Sequence, residues 1–329
     1  MEPNRRRQFL VAAGALLGAP WARAQSPAQR RRIAFLNAGK RDDVKKIFEE
    51  PFLKELAKAG YVEGRNLAIE RRYAEGVLER LPALARELVA LKPELILAPP
   101  SQSTAALKAT GTSIPVVFCF VTDPVAFGFA QSLARPGGNF TGLSNFSAVI
   151  AAKRVELLKE ALPGLARLCA WYNPDTASDK IELEEVRRAI ARFGMQFLAV
   201  KGRNPAEYDE AAAAAKKWGA DSIYVVASPT TYAFHKHIVG LVAKMRLPAV
   251  YWNADFVEDG GLMSYAPDFH DLARRAATYA DKILRGAKPA ELAIEQPSTL
   301  ELTINLRAAR AIGISLPQAI ILRADRVIE

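Results

Sequence analysis

The apolar run 95–98 is followed by Pro99 and Pro100 and then by Ser101, Gln102, Ser103 and Thr104, which open a short helix. Free backbone N–H groups, the positive end of the helix dipole and side-chain hydroxyls converge at such a place, and together they suit a carboxylate. A second apolar run, 114–120, is broken by Thr122, Asp123 and Pro124. Ser228, Thr230, Thr231 and Tyr232 repeat the hydroxyl-rich pattern later in the chain. Asp123 and Asp255 are each placed to pair with an ammonium group, and Tyr172, Tyr232, Trp252 and Tyr265 to stack on or enclose an apolar body. Taken singly, the hydroxyls are ordinary helix caps, Asp123-Pro124 a turn and the aromatic rings core. Taken together they describe an amino-acid pocket. Asn37 and Lys40 in the polar loop 37–43, with Asn145, Asn173 and Asn253 at other strand ends, complete the candidate ligand-binding set.

Catalytic sets come up short. His235 and His237 stand two apart, on different sides of any helix, and His270 is isolated. No G-x-S-x-G elbow, H-E-x-x-H or G-x-x-x-x-G-K-S/T occurs, and Gly137-Gly138 and Gly260-Gly261 lack the G-x-G-x-x-G frame of a phosphate cradle. Cys119 and Cys169 each sit in an apolar run, VVFCF and RLCAW, with no zinc spacing. The expectation is two buried free thiols in different domains, no metal, no cofactor and no catalytic step.

The elements that carry these residues alternate. Strands are expected at 33–36, 66–72, 95–98, 114–120 and 139–143, with helices at 44–59 and 78–91 between them. From residue 167 the order starts again: strands at 167–172, 195–201, 222–227 and 248–252, and helices at 181–193, 206–218 and 235–245. Strands alternating with amphipathic helices mean parallel sheets covered on both faces. The two halves lie about 130 residues apart, too long for a solenoid repeat and right for two copies of one α/β domain. The final 70 residues do not start a third copy, so they complete the first two. Residues 30–145 with about 262–287 are expected to form one lobe and 146–261 with about 288–329 the other, joined by a multi-strand hinge. In open sheets of this kind, ligands bind at the carboxyl ends of the strands.

The chain has 329 residues, a mean hydropathy near zero and a net charge of +10. Basic residues lie beside acids on helical faces with no aromatic-interleaved stripe, which argues against a nucleic-acid partner. Arg5 to Arg7, an apolar stretch at 9–17 and Ala22-Arg23-Ala24 match an export signal cleaved after about Ala24, and Arg6-Arg7-Gln8-Phe9-Leu10 matches its twin-arginine form. That apolar stretch is well short of the roughly 20 residues a membrane span needs.

Four stretches carry a family resemblance: Gly60-Tyr61-Val62-Glu63-Gly64-Arg65-Asn66-Leu67; Ile114-Pro115-Val116-Val117-Phe118 with Asp123-Pro124-Val125; Leu133 to Leu143, which contains ARPGGN-x-TG; and Lys153-Arg154-Val155-Glu156-Leu157-Leu158-Lys159. The mature chain resembles the ABC-transporter substrate-binding proteins of the uncharacterised or tryptophan/tyrosine-type group. The resemblance implies a two-lobed periplasmic-binding-protein type I-like fold that closes over a small ligand and delivers it to a permease in the inner membrane. The loops around Ser101, Asp123, Asn145, Ser228 and Asn253 would line its cleft. A monomer is expected. The ligand-binding subunit of a periplasmic sensory system shares the fold and stays open as an alternative, as does an enzyme on the same scaffold.

Overall fold

The computed structural model describes residues 30–329, so the expected export signal lies outside the described residues. Two sheets organise the chain. The first contains β1 (Arg31–Asn37), β2 (Leu67–Tyr73), β3 (Leu95–Ala98), β4 (Val116–Val121) and β5 (Phe140–Ser144) in the order β2-β1-β3-β4-β5, all parallel. Its central strands are buried on both faces, which is why they read as unbroken apolar runs rather than alternating ones. On one face, Phe35, Leu97 and Val117 meet Phe48, Phe52 and Leu56 of the helical stretch 41–58, and Leu272, Ala276 and Ala280 of the helix Phe269–Leu284. On the other, Leu36, Ile96 and Phe118 meet the helices Leu81–Ala90 and Ser101–Ala109.

The second sheet contains β6 (Arg167–Tyr172), β7 (Gln196–Lys201), β8 (Ser222–Val225), β9 (Ala249–Tyr251), β10 (Met263–Pro267), β11 (Leu300–Asn305) and β12 (Arg326–Ile328). Their order is β12-β11-β10-β9-β8-β6-β7, with only the β10–β11 pair antiparallel. The helices Ser147–Ala161 and Ala177–Arg192 cover one face, and Pro205–Trp218 and His235–Met245 the other. The architecture is the expected two-lobed α/β fold. The helix Ser147–Ala161 and β12 have no counterpart among the expected elements.

The crossings between the lobes differ from expectation in two places. Residues 262–267, assigned to the first lobe, instead contribute β10 to the second sheet, where Met263 pairs with Val250 of β9 and Ile304 of β11. Only the helix that follows returns to the first lobe. Residues 288–295, assigned to the second lobe, instead run beside β5. Glu295 N–H donates to the Gly142 carbonyl at 3.1 Å, Ser144 N–H to the Glu295 carbonyl at 2.9 Å, and the Thr141 hydroxyl to the Leu292 carbonyl at 2.7 Å. The cause is that β5 is an edge strand whose unpaired backbone groups need partners.

β4 and β5 pair regularly only as far as Phe118 and resume at Val121. Phe120, inside that break, has φ 63°, a left-handed conformation that is costly for an aromatic residue. Cys119 on β4 and Cys169 on β6 are free and buried in separate sheets. Burial pushes both thiols up, Cys169 to about 12.

Candidate functional site

A cavity lies between the lobes, at the carboxyl ends of the strands of both sheets. From the first lobe it is lined by Asn37 at the end of β1 with Lys40 and Asp43 beyond it, by Pro100, Ser101 and Gln102 after β3, by Phe120 and Thr122 at the end of β4, and by Asn145 after β5. From the second it is lined by Ser178 at the start of a helix, by residues 227–229, Tyr232 and Ala233 after β8, and by Trp252 after β9. Val44, Ile47 and Phe269 add apolar surface.

The local folding follows from caps. Ser228 closes a capping box on the helix Pro229–Ala233: its hydroxyl accepts from Thr231 N–H while the Thr231 hydroxyl accepts from Ser228 N–H. Ser101 Oγ accepts from Thr122 N–H at 3.2 Å and so ties the β3 loop to the β4 loop. Asn145 Oδ1 accepts from Ser147 N–H at 3.1 Å. Trp252 is oriented by its indole N–H, which donates to Thr231 Oγ1 at 3.0 Å, and its ring meets Phe269 edge-on at 5.5 Å across the cleft.

Two hydrogen bonds join the lobes at the cavity wall. Lys40 Nζ donates to the Ala233 carbonyl at 3.1 Å and lies over the Phe234 ring, and Gln102 Nε2 donates to Ser178 Oγ at 3.0 Å. Tyr232 donates its hydroxyl to Asp255, and burial together with that carboxylate raises its pKa well above the usual phenol value. Burial raises the Asp43 pKa as well, opposed by the nearby His235 and Lys40.

Of the candidates read from sequence, Asn37, Lys40, Ser101, Gln102, Thr122, Asn145, Ser228, Tyr232 and Trp252 stand in this wall. The others do not line it. Asp123, expected to face an ammonium, accepts instead from Val125 and Ala126 N–H at 3.1 and 2.9 Å and so closes its own turn. Asp255 takes the Tyr232 hydroxyl, and Asn253 caps the helix Ala254–Glu258 through Asp255 N–H. Asn173 donates to Thr230 Oγ1 at 2.9 Å behind the wall, Thr231 is spent on capping and on Trp252, and Ser103 is buried outside the cavity. Tyr172 and Tyr265 pack onto the second lobe's core, away from the cavity. Sequence reasoning missed Asp43, Phe120, Ser178 and Phe269. Phe120 was hidden because a strand's last apolar residue reads as core, and only the left-handed backbone turns it to the cleft.

The sequence profile of the family described as ABC transporter substrate binding protein matches residues 41–328. The chain belongs to that family. Among its relatives, the tyrosine-binding protein of Clostridioides difficile (strain R20291) is 24% identical over 261 residues, covering 79% of this chain and 75% of the relative. A conserved domain protein from Vibrio cholerae O1 biovar eltor superposes with a TM-score of 0.85 at 27% identity, covering 91% of this chain and 99% of that one. The ABC domain from Streptococcus pneumonia solved in complex with L-Trp superposes with a TM-score of 0.83 at 24% identity, covering 91% and 100%. Members of this family are substrate-binding proteins that work outside the cytoplasm. Among the described residues no helix is long and apolar enough to cross a membrane, and no cluster of three or more His, Cys, Asp or Glu side chains is arranged to hold a metal.

Proposed function

We propose that this protein is the solute receptor of an ABC import system. In this reading it is exported after cleavage near Ala24, acts as a monomer, binds a small amino acid or related polar or aromatic compound between its lobes, and presents it to an inner-membrane permease. The observation that carries the reading is a cavity whose wall is divided between the two lobes, with polar strand-end loops on one side and Tyr232 and Trp252 on the other. A solute held there touches both lobes only when they are together, so its binding energy favours the closed arrangement. The tyrosine- and tryptophan-binding relatives support an aromatic amino acid as the first class to try.

A thermal-shift and calorimetric screen of the mature protein against amino acids, small carboxylates and purines tests this. A ligand at about 100 times its dissociation constant adds about 2.7 kcal/mol of stability, enough to raise the melting temperature by several degrees. We expect that shift with an aromatic or aliphatic amino acid and its weakening in Trp252→Ala. A screen in which no amino acid shifts the transition retires the amino-acid reading.

A further inference from the structure

The acids around the cavity are nearly all committed to protein partners. Asp255 takes the Tyr232 hydroxyl, Asp259 stands 2.9 Å from His235 Nε2, Asp123 closes its own turn and Asp179 takes Asn173 N–H. Asp43 differs. It lines the cavity, is half-buried, and among the described residues its carboxylate meets no hydrogen-bond donor and no ion-pair partner. The cations nearest to it are already engaged. Lys40 donates to the Ala233 carbonyl, His235 lies between the Tyr232 carbonyl and Asp259, and Lys236 acts only at longer range, with Asp42 opposing all three.

A carboxylate withdrawn from water without a partner is costly, and a cation brought in by a ligand removes that cost. The surroundings suit such a cation, since the aromatic rings of Tyr232 and Trp252 line the same space. We propose that Asp43 is the counter-ion for the ligand's ammonium group. The site then selects primary amines borne on an apolar body, α-amino acids included, and rejects the same body without the free amine. This rests on the reading of the cavity as the solute site. It moves the ammonium contact from Asp123 and Asp255 to the start of the helical stretch after β1, so the first lobe alone can make the first charged contact with an arriving solute.

The test is calorimetric titration of wild type, Asp43→Asn and the control Asp123→Asn with four probes: L-tryptophan, tryptamine, indole-3-propionate and N-acetyl-L-tryptophan. We expect wild type and the control to bind the two free amines at least about tenfold more tightly than the two probes lacking one, a difference of about 1.4 kcal/mol. Asp43→Asn should lose that preference while melting no lower than wild type without ligand, because the substitution removes a desolvated charge. In wild type, tryptamine affinity should also fall as acid protonates Asp43; in Asp43→Asn that part of the pH dependence should be gone.

Equal affinities of wild type and Asp43→Asn for tryptamine, or indole-3-propionate binding as tightly as tryptamine, overturns the assignment. If no amine binds but an uncharged solute does, in a manner abolished by Trp252→Ala, the receptor reading stands and the Asp43 assignment falls. If Trp252→Ala changes the binding of no solute, both fall.

Discussion

Behind the second lobe's share of the cavity lies a chain of buried polar groups. Arg154 Nη1 donates to Glu182 Oε1 at 3.0 Å and Arg154 Nε to the Tyr265 carbonyl at 2.8 Å; Ser147 and Tyr224 hydroxyls donate to the same carboxylate at 2.6 and 2.8 Å. One turn away, Asp179 accepts from Asn173 N–H at 2.8 Å and from the Thr176 hydroxyl, which fixes the loop that bears Ser178 in the cavity wall. Burial pushes Asp179 from 3.8 up to about 7, outweighing these hydrogen bonds. A raised acid favours folding while protonated, so its contribution is complete below about 3.8 and is lost as pH rises through about 7. Asp179→Asn should therefore gain stability relative to wild type as pH rises across that window, read from urea midpoints at a series of pH values; parallel pH profiles would contradict it. The polar candidates themselves were legible as types. Which of two aspartates faces the cleft was not, because Asp123 and Asp43 both follow apolar strands. The difference lies in whether the backbone N–H groups of the next turn reach the carboxylate.

The strands and most of the long helices were legible as apolar runs and 3.6-residue periodicities, since burial on two faces or one writes those patterns directly. The short helices Pro229–Ala233 and Ala254–Glu258 were not, being set by the caps Ser228 and Asn253 rather than by an apolar stripe. The antiparallel entry of β11 beside β10 also leaves no mark on periodicity. Gly142 shows how tightly one element can be specified. It has φ 143°, and a Cβ there would lie 1.9 Å from the Phe118 carbonyl oxygen of the neighbouring strand. Gly142→Ala should destabilise the protein by more than about 1 kcal/mol, since both the dihedral and the space are wrong for alanine. Denaturant unfolding checks this, and an unchanged midpoint would show that the β4–β5 pairing relaxes at no cost.

At the scale of the molecule, the two lobes are held together at the cavity by few direct bonds. Lys40 to Ala233 and Gln102 to Ser178 are net contributions of about 1 kcal/mol each. Removing both in Lys40→Ala/Gln102→Ala should shift the unliganded equilibrium toward open forms by roughly tenfold or more, visible as a larger radius of gyration in small-angle scattering. A scattering profile identical to wild type would mean that the apolar contact of Trp252 with Phe269 holds the lobes by itself. The two-lobed plan was legible because its halves repeat the same order of elements; the crossings were not, since they depend on which sheet edge is vacant. Those crossings have a bearing on synthesis. When the ribosome has completed all five strands of the first sheet, the helix Phe269–Leu284 that shields Phe35, Leu97 and Val117 has not yet been made. A nascent chain therefore carries a partly uncovered apolar sheet face until β6 to β10 of the second sheet have been made, the kind of exposed surface that makes folding intermediates prone to aggregate.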